Sequence, residues 1–207
     1  MTDPQNIITI PGAIRNAIID KVIFSPEGLT IRRSFSFGRK TFIPGNSIAA
    51  FRFGLVPLKF SRFTIGNQYF IEIRDFNCEI FRITLNTYNS THRRQYYGIW
   101  AGLLQSLWDH YLSNQLSYYT ELYNIRQFFE LAGVTFHSDG ITWDNSQSIP
   151  WNKITVKSYQ NYFIVYHTDH PELCKYCLFS LQWNAVILQS LLKDIIEVNK
   201  RVPKSSV

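Results

Sequence analysis

At 207 residues and 24.3 kDa the chain is as long as one large domain or two small ones. With 45% hydrophobic, 16% aromatic and 17% charged residues, it is not a disordered or fibrous polypeptide. Lys and Arg outnumber Asp and Glu by 21 to 15, and the net charge of +6 favours anionic partners.

In chain order, Met1–Asn6 show no basic stretch ahead of an apolar core, and no apolar run approaches the roughly 18 residues that span a bilayer. A soluble, unexported protein without a transmembrane segment is expected. Cys78, Cys174 and Cys177 are an odd set in a chain too large to need stapling, which argues for a reducing cytoplasm rather than a disulfide framework. Val22-Ile23-Phe24-Ser25-Pro26-Glu27-Gly28-Leu29-Thr30 reads as a hairpin, with Gly28 supplying a positive φ. Arg32, Arg33, Arg39 and Lys40 then flank Ser34-Phe35-Ser36-Phe37-Gly38, and Ile43-Pro44-Gly45-Asn46-Ser47-Ile48 opens another strand. Arg52, Lys59 and Arg62 lie among Phe51, Phe53, Phe60 and Phe63. Tyr69, Ile71 and Ile73 alternate with Phe70, Glu72 and Arg74, and Phe81, Ile83 and Leu85 alternate with Ile80, Arg82 and Thr84, the pattern of a sheet with one wet face. Asn89-Ser90-Thr91 has glycosylation spacing but is expected to open a helix by local capping. That helix carries Trp100, Leu103, Leu104, Leu107, Trp108 and Tyr111 at three-four spacing. Ser113-Asn114-Gln115 is expected to interrupt it, and Tyr118, Leu122, Ile125 and Phe129 renew a helical spacing up to Gly133.

Beyond that point the chain repeats itself. Val22–Thr30 returns 112 positions later as Val134-Thr135-Phe136-His137-Ser138-Asp139-Gly140-Ile141-Thr142, and Ile43–Ile48 returns 106 positions later as Ile149-Pro150-Trp151-Asn152-Lys153-Ile154. Tyr69-Phe70-Ile71 matches Tyr162-Phe163-Ile164 at an offset of 93, and the strand that follows is expected to set Cys177 against Phe81. Leu104-Gln105-Ser106-Leu107 matches Leu188-Gln189-Ser190-Leu191 at 84, within a helix carrying Trp183, Ile187, Leu191, Ile195 and Val198. The first copy therefore has six extra residues before Ile43 and thirteen between Ile48 and Tyr69, expected as longer loops. The organisation expected is a first domain over 1–113, a connecting helix over 114–133 and a second domain over 134–207. Gly28 and Gly140, Pro44 and Pro150, and Leu107 and Leu191 should be equivalent pairs.

Short antiparallel strands capped by a C-terminal helix, with Val-x-Phe-x-x-x-Gly-[Leu/Ile]-Thr and Ile-Pro-x-x-x-Ile segments, resemble the pleckstrin-homology-like (PH-like) superfamily, especially its bacterial branch. The resemblance spans both copies. It implies an α+β fold of two tandem PH-like modules, each an antiparallel strand-rich sheet or partly open barrel capped by a C-terminal helix, and it implies a binding module. Many bacterial relatives sit beside membrane helices, a pattern from which this chain departs.

Charge is segregated between the copies. Residues 1–113 hold 13 basic and 7 acidic side chains, net +6, whereas 114–207 hold 8 of each. Arg32, Arg33, Arg39, Lys40, Arg52, Lys59 and Arg62 are the candidate anion-binding residues, because forked Arg donors suit phosphate or carboxylate and an adjacent Phe can enter a lipid interface. The blander reading is of strands with Phe inward and Arg solvated. In the second copy His167, His170, Cys174 and Cys177 are zinc-ligand types, but one compact group is not the usual pair of knuckles, and a polar turn followed by a buried strand is expected, with no metal. No Gly-flanked Ser, paired carboxylates or Gly-rich phosphate loop is present, so neither an enzyme nor a cofactor is expected. The function expected is a cytoplasmic binding or scaffold protein, peripheral at the membrane, whose first domain contacts a lipid headgroup, a membrane surface or an acidic peptide. A protein-protein adaptor taking a peptide at a sheet edge is the alternative, and nucleic acid fits less well. The continuous apolar run Tyr162–Tyr166 needs a cover, either the first copy or a second subunit in a homodimer.

Overall fold

The computed structural model describes residues 6–11, 19–33, 40–88, 93–144 and 147–201, the side chains of 200 and 201 excepted. The chain divides into two compact units, Met1–Ser113 and Asn114–Val207. In the first, β1 (Asn6–Thr9), β2 (Ile19–Ser25), β3 (Gly28–Arg33) and β4 (Lys40–Pro44) form an antiparallel meander. A 3-10 turn at Gly45–Ser47 leads into a second meander of β5 (Ile48–Phe60), β6 (Phe63–Asp75) and β7 (Ile80–Thr87), and helix α1 (Arg93–Leu107) follows. Val22, Phe24, Leu29 and Ile31 from one sheet, Phe51, Ile71, Ile73, Ile83 and Leu85 from the other, and Tyr96, Leu103 and Leu107 from α1 are all buried. Each element is amphipathic and isolated α1 would be marginal, so burial of these faces supplies most of the stability.

The second unit runs through the same order. It has β8 (Phe129–Leu131), β9 (Val134–Phe136), β10 (Gly140–Thr142) and β11 (Ile149–Pro150), then a 3-10 turn at Trp151–Lys153. A meander of β12 (Ile154–Ser158), β13 (Tyr162–His167) and β14 (Cys174–Leu178) precedes the last helix, Ala185–Arg201. Among the described residues the architecture is α+β with four open antiparallel sheets, and none closes into a barrel. No helix among them is long and apolar enough to cross a membrane.

The repeat is visible in the pairing register. Gly28 faces Pro44 and Leu29 faces Ile43, while Gly140 faces Pro150 and Ile141 faces Ile149. The Glu27 carbonyl accepts a hydrogen bond from the Gly45 amide at 2.9 Å, and the Asp139 carbonyl accepts one from the Trp151 amide at 3.2 Å. The glycines are needed for space: a Cβ on Gly28 would lie 2.3 Å from the Ile43 carbonyl oxygen, and one on Gly140 2.1 Å from that of Ile149. Pro26 and Glu27 make the turn itself, and Gly28, which begins β3, has the expected positive φ, +157°, besides being required by the close approach of the next strand. Leu107 and Leu191 are both fully buried helix residues.

Several expectations are corrected. The thirteen extra residues between Ile48 and Tyr69 are not loop but ladder: they lengthen β5 and β6 to 13 residues each. Ser113-Asn114-Gln115 does not interrupt the helix. A π-helical turn at Trp108–Leu112 precedes it, and helix α2 (Ser113–Asn124) continues without a break, since Ser and Asn weaken a helix without forbidding it. The connecting helix stops at Asn124 instead of reaching 133, because Phe129–Leu131 pairs with β9 across a two-residue turn in which Ala132 and Gly133 both have positive φ. The offset of 93 is off by one. Ile48 faces Asp75 and its counterpart Ile154 faces His167, so equivalent rungs of β6 and β13 stand 92 apart, and Cys177, opposite Phe163, corresponds to Ile83, opposite Ile71, rather than to Phe81. A shift of one residue would have turned each inward side chain outward. Asn89-Ser90-Thr91 lies outside the described residues.

The π turn places Tyr111 beneath the β2–β3 turn, where its hydroxyl donates to the Ser25 carbonyl at 2.9 Å and its ring sits 3.0 Å from where a Gly45 Cβ would be. Burial pushes the Tyr111 phenol up to about 12. The raised folded pKa means that its contribution to stability is whole below pH 10 and is lost as pH rises through about 12. Tyr111→Phe should therefore cost about 1 kcal/mol at neutral pH, and denaturant titrations should show the difference from the parent closing as pH climbs past 10. Gly28→Ala and Gly140→Ala should each destabilise their own unit by roughly 1–3 kcal/mol or more, because backbone must move to admit one methyl group. Urea midpoints unchanged by either would contradict the close approach.

Candidate anion-binding surface

The two-residue turn at Pro26-Glu27 fixes which β2 and β3 residues face each other, and Lys21 falls opposite Arg32. On the far side of β3, Arg32 faces Lys40. Lys21, Arg32 and Lys40 thus form one row across three adjacent strands. Their neighbours Val22 and Ile31 are buried, so the row lies on the outward face. Lys40 is exposed and Lys21 and Arg32 are partly exposed, and no ion pair joins any of the three to a carboxylate among the described residues. Cross-strand like charges repel, so this row costs stability unless an anion bridges it. Exposed Arg33 ends β3 beside it. A β-bulge between Ile19 and Lys21 accommodates Asp20, whose buried Oδ1 has no hydrogen-bond partner among the described residues. Two residues along the same outward face, exposed Ile7 and Phe42 flank Ile23 and Thr30, giving an apolar row beside the cationic one.

The other candidates are dealt with differently. Arg52 is taken out of the surface: it donates through Nε at 2.5 Å to Oε2 of Glu72, which lies between it and Arg82 in the ladder and is 1% exposed. Arg82 Nε donates to Oε1 at 2.5 Å, and Arg82 Nη2 donates to the same oxygen. Burial pulls the Glu72 carboxyl upward, but the hydrogen bonds and charges of Arg52 and Arg82 outweigh it and hold the pKa below its usual value. The Phe70–Glu72 side of β6 is therefore not the wet face expected, since both residues are buried. Lys59 and Arg62 are exposed at the tip of the β5–β6 hairpin. Arg39 lies outside the described residues. Lys21 escaped the sequence reading, although counting outward from the Pro26-Glu27 turn sets it opposite Arg32.

Among the described residues the second unit has no such row at the corresponding end. Asp144 stands 112 positions after Arg32, and Lys175 Nζ reaches it at 2.9 Å. Cys177 is packed in the core, its thiol pushed up to about 12 by burial. His167 and His170 sit on a polar turn with ring centroids 5.0 Å apart, the His167 Nδ1 accepting from the Asp169 and His170 amides. Among the described residues no three His, Cys, Asp or Glu side chains gather as a metal site. A groove of about 490 Å³ lies between β12, an edge strand, and the last helix, lined by residues including Ile154, Val156, Thr168, Lys193 and Ile196.

No protein-family profile matches the chain, and no curated protein is significantly similar to it.

Glu72→Gln should destabilise the first unit by about 1–3 kcal/mol, the scale of hydrogen bonds to charged groups. A lowered folded pKa contributes stability that is present above the usual 4.5 and is lost as pH falls through the folded value. The gap between Glu72→Gln and the parent, read from chemical denaturation, should accordingly narrow in acid.

Proposed function

We propose that the protein is a non-enzymatic binding or scaffold module of two PH-like units, the first of which holds an anionic ligand on its outward sheet face. The observation that carries this reading is the Lys21–Arg32–Lys40 row. Adjacent strands lie about 4.8 Å apart, so three side chains cover roughly 10 Å and suit a ligand with two or more neighbouring phosphates or carboxylates. The order of a four-stranded meander, a three-stranded meander and a helix in each unit supports the PH-like assignment. A binding role, rather than catalysis, is supported by where the strongly shifted groups lie: Tyr111 and Cys177 are buried in cores, not gathered in a cleft. The setting proposed is the cytoplasmic side of a membrane, with the protein peripheral.

A second reading, favoured by the groove beside β12, is an adaptor that takes an extended peptide onto the free edge of that strand. The two are told apart by salt and by one variant. On the leading reading, Lys21→Ser/Arg32→Ser/Lys40→Ser lowers affinity for tripolyphosphate and for anionic vesicles on the order of tenfold or more, and parent binding weakens with ionic strength. The variant should melt within about 0.5 kcal/mol of the parent, because surface substitutions cost little and a repulsion is removed. Calorimetric titration and vesicle co-sedimentation at two salt concentrations measure this. Equal binding by variant and parent would sink the leading reading.

A further inference from the structure

The β5–β6 hairpin reaches beyond the sheet that supports it. The last rung between β6 and β7 is Asn67 with Thr87, whereas β5 and β6 stay paired through Leu58–Gly66 and Lys59–Thr64 to Phe60–Phe63. The end of the hairpin is therefore a two-stranded ribbon, and such a ribbon has no core of its own in water. Its apolar side chains are nonetheless large: Phe60 is 72% exposed, Phe63 75% and Ile65 41%. Directly opposed residues project from the same face, so Phe60 and Phe63 stand side by side at the tip. The turn between them is Ser61-Arg62, with Ser61 at φ +54°, and Lys59 precedes it. Two exposed aromatic rings at the far end of a projecting ribbon, flanked by cations and without an acid between Phe51 and Ile71, match the chemistry of an anionic lipid interface: acyl chains for the rings and phosphates for Lys59 and Arg62.

Resting on the anion-binding reading, we propose that Phe60-Ser61-Arg62-Phe63 is a membrane wedge that seats the first unit on an anionic bilayer. Interfacial groups enter to about 5–10 Å, a depth that a ribbon end of three rungs can supply without unfolding. The cationic row and the wedge divide the work: the row answers to charge, whereas the wedge answers to apolar transfer and is the less salt-sensitive of the two.

The test uses the full chain with phosphatidylcholine vesicles containing roughly one-third phosphatidylserine, and with tripolyphosphate as the lipid-free anion. Phe60→Ser/Phe63→Ser should lose vesicle partition on the order of tenfold at low and high salt, with tripolyphosphate binding unchanged. Phe60→Trp should retain binding and show vesicle-dependent emission that brominated acyl chains quench beyond the quenching seen in the parent. Because both rings are exposed the variants should melt like the parent, and the Trp variant gives an answer even if the double Ser variant does not fold. Partition of the double Ser variant equal to the parent's, or no added quenching in Phe60→Trp, overturns the wedge. A parent that binds tripolyphosphate but not vesicles overturns the wedge and leaves the anion-binding reading standing. A parent that binds neither overturns both. Self-association of the parent that the double Ser variant abolishes would assign the tip to a second copy instead, and the wedge would again fall.

Discussion

The fold of each unit depends on one close backbone approach. At Gly28 and again at Gly140, the strand after the first turn passes so near the carbonyl of Ile43 or Ile149 that no side chain fits between them. The approach aligns the acidic turn residue to accept a hydrogen bond from the residue after the proline, which fixes the corner where the chain leaves the four-stranded meander for the three-stranded one. In the first unit Tyr111 adds a third contact, from the π turn to Ser25. In the second, the helix position 84 residues on is Ile195, a buried aliphatic side chain with no hydroxyl to make the equivalent hydrogen bond.

On that common frame the copies diverge in their outward faces. At the offset of 92 that the ladder registers set, Phe70, Glu72 and Arg74 correspond to Tyr162, Ile164 and Tyr166. Where the first unit runs Arg52, Glu72 and Arg82 across its ladder, the second runs Lys157, Ile164 and Tyr176. The ionic row consumes two arginines to neutralise one buried carboxylate, and the aromatic row leaves Tyr176 exposed beside stacked Tyr159 and Tyr162. Charge thus does different things at different places in the first unit: Arg52 is structural, whereas no ion pair joins Lys21, Arg32 or Lys40 to a carboxylate among the described residues. The surplus of +6 is a property of the composition, but its usefulness depends on which cations already have partners.

Length was spent in the same uneven way. Fourteen additional residues, by the corrected offset, between a corner and a core strand could have formed a loop, and the Gly, Pro and Lys in that stretch do not spell a strand. They became one because β5 and β6 could keep pairing past the end of β7, each added rung satisfying its backbone donors and acceptors locally. The price is apolar surface left in water at the tip.

Local patterning made the order of strands and helices legible, since period-two and period-3.6 runs reflect which face each element buries, and self-similarity exposed the repeat because the Gly and Ile-Pro positions answer to a backbone constraint that tolerates few residues. The chain composition also located the positive charge in residues 1–113. The sequence misread the strand at Phe129–Leu131 as helix, because three apolar-spaced residues fit either period and only pairing with Val134–Phe136 decides between them. It placed the β13 match one residue off, because residue identity does not report side-chain parity and the pairing of β12 with β13 does. It named Arg52 as a ligand residue and passed over Lys21, for the same reason in both cases: whether a cation is free is set by what stands across the ladder, Glu72 for one and Arg32 for the other, and such neighbours are joined by register between strands, which only the tertiary structure decides.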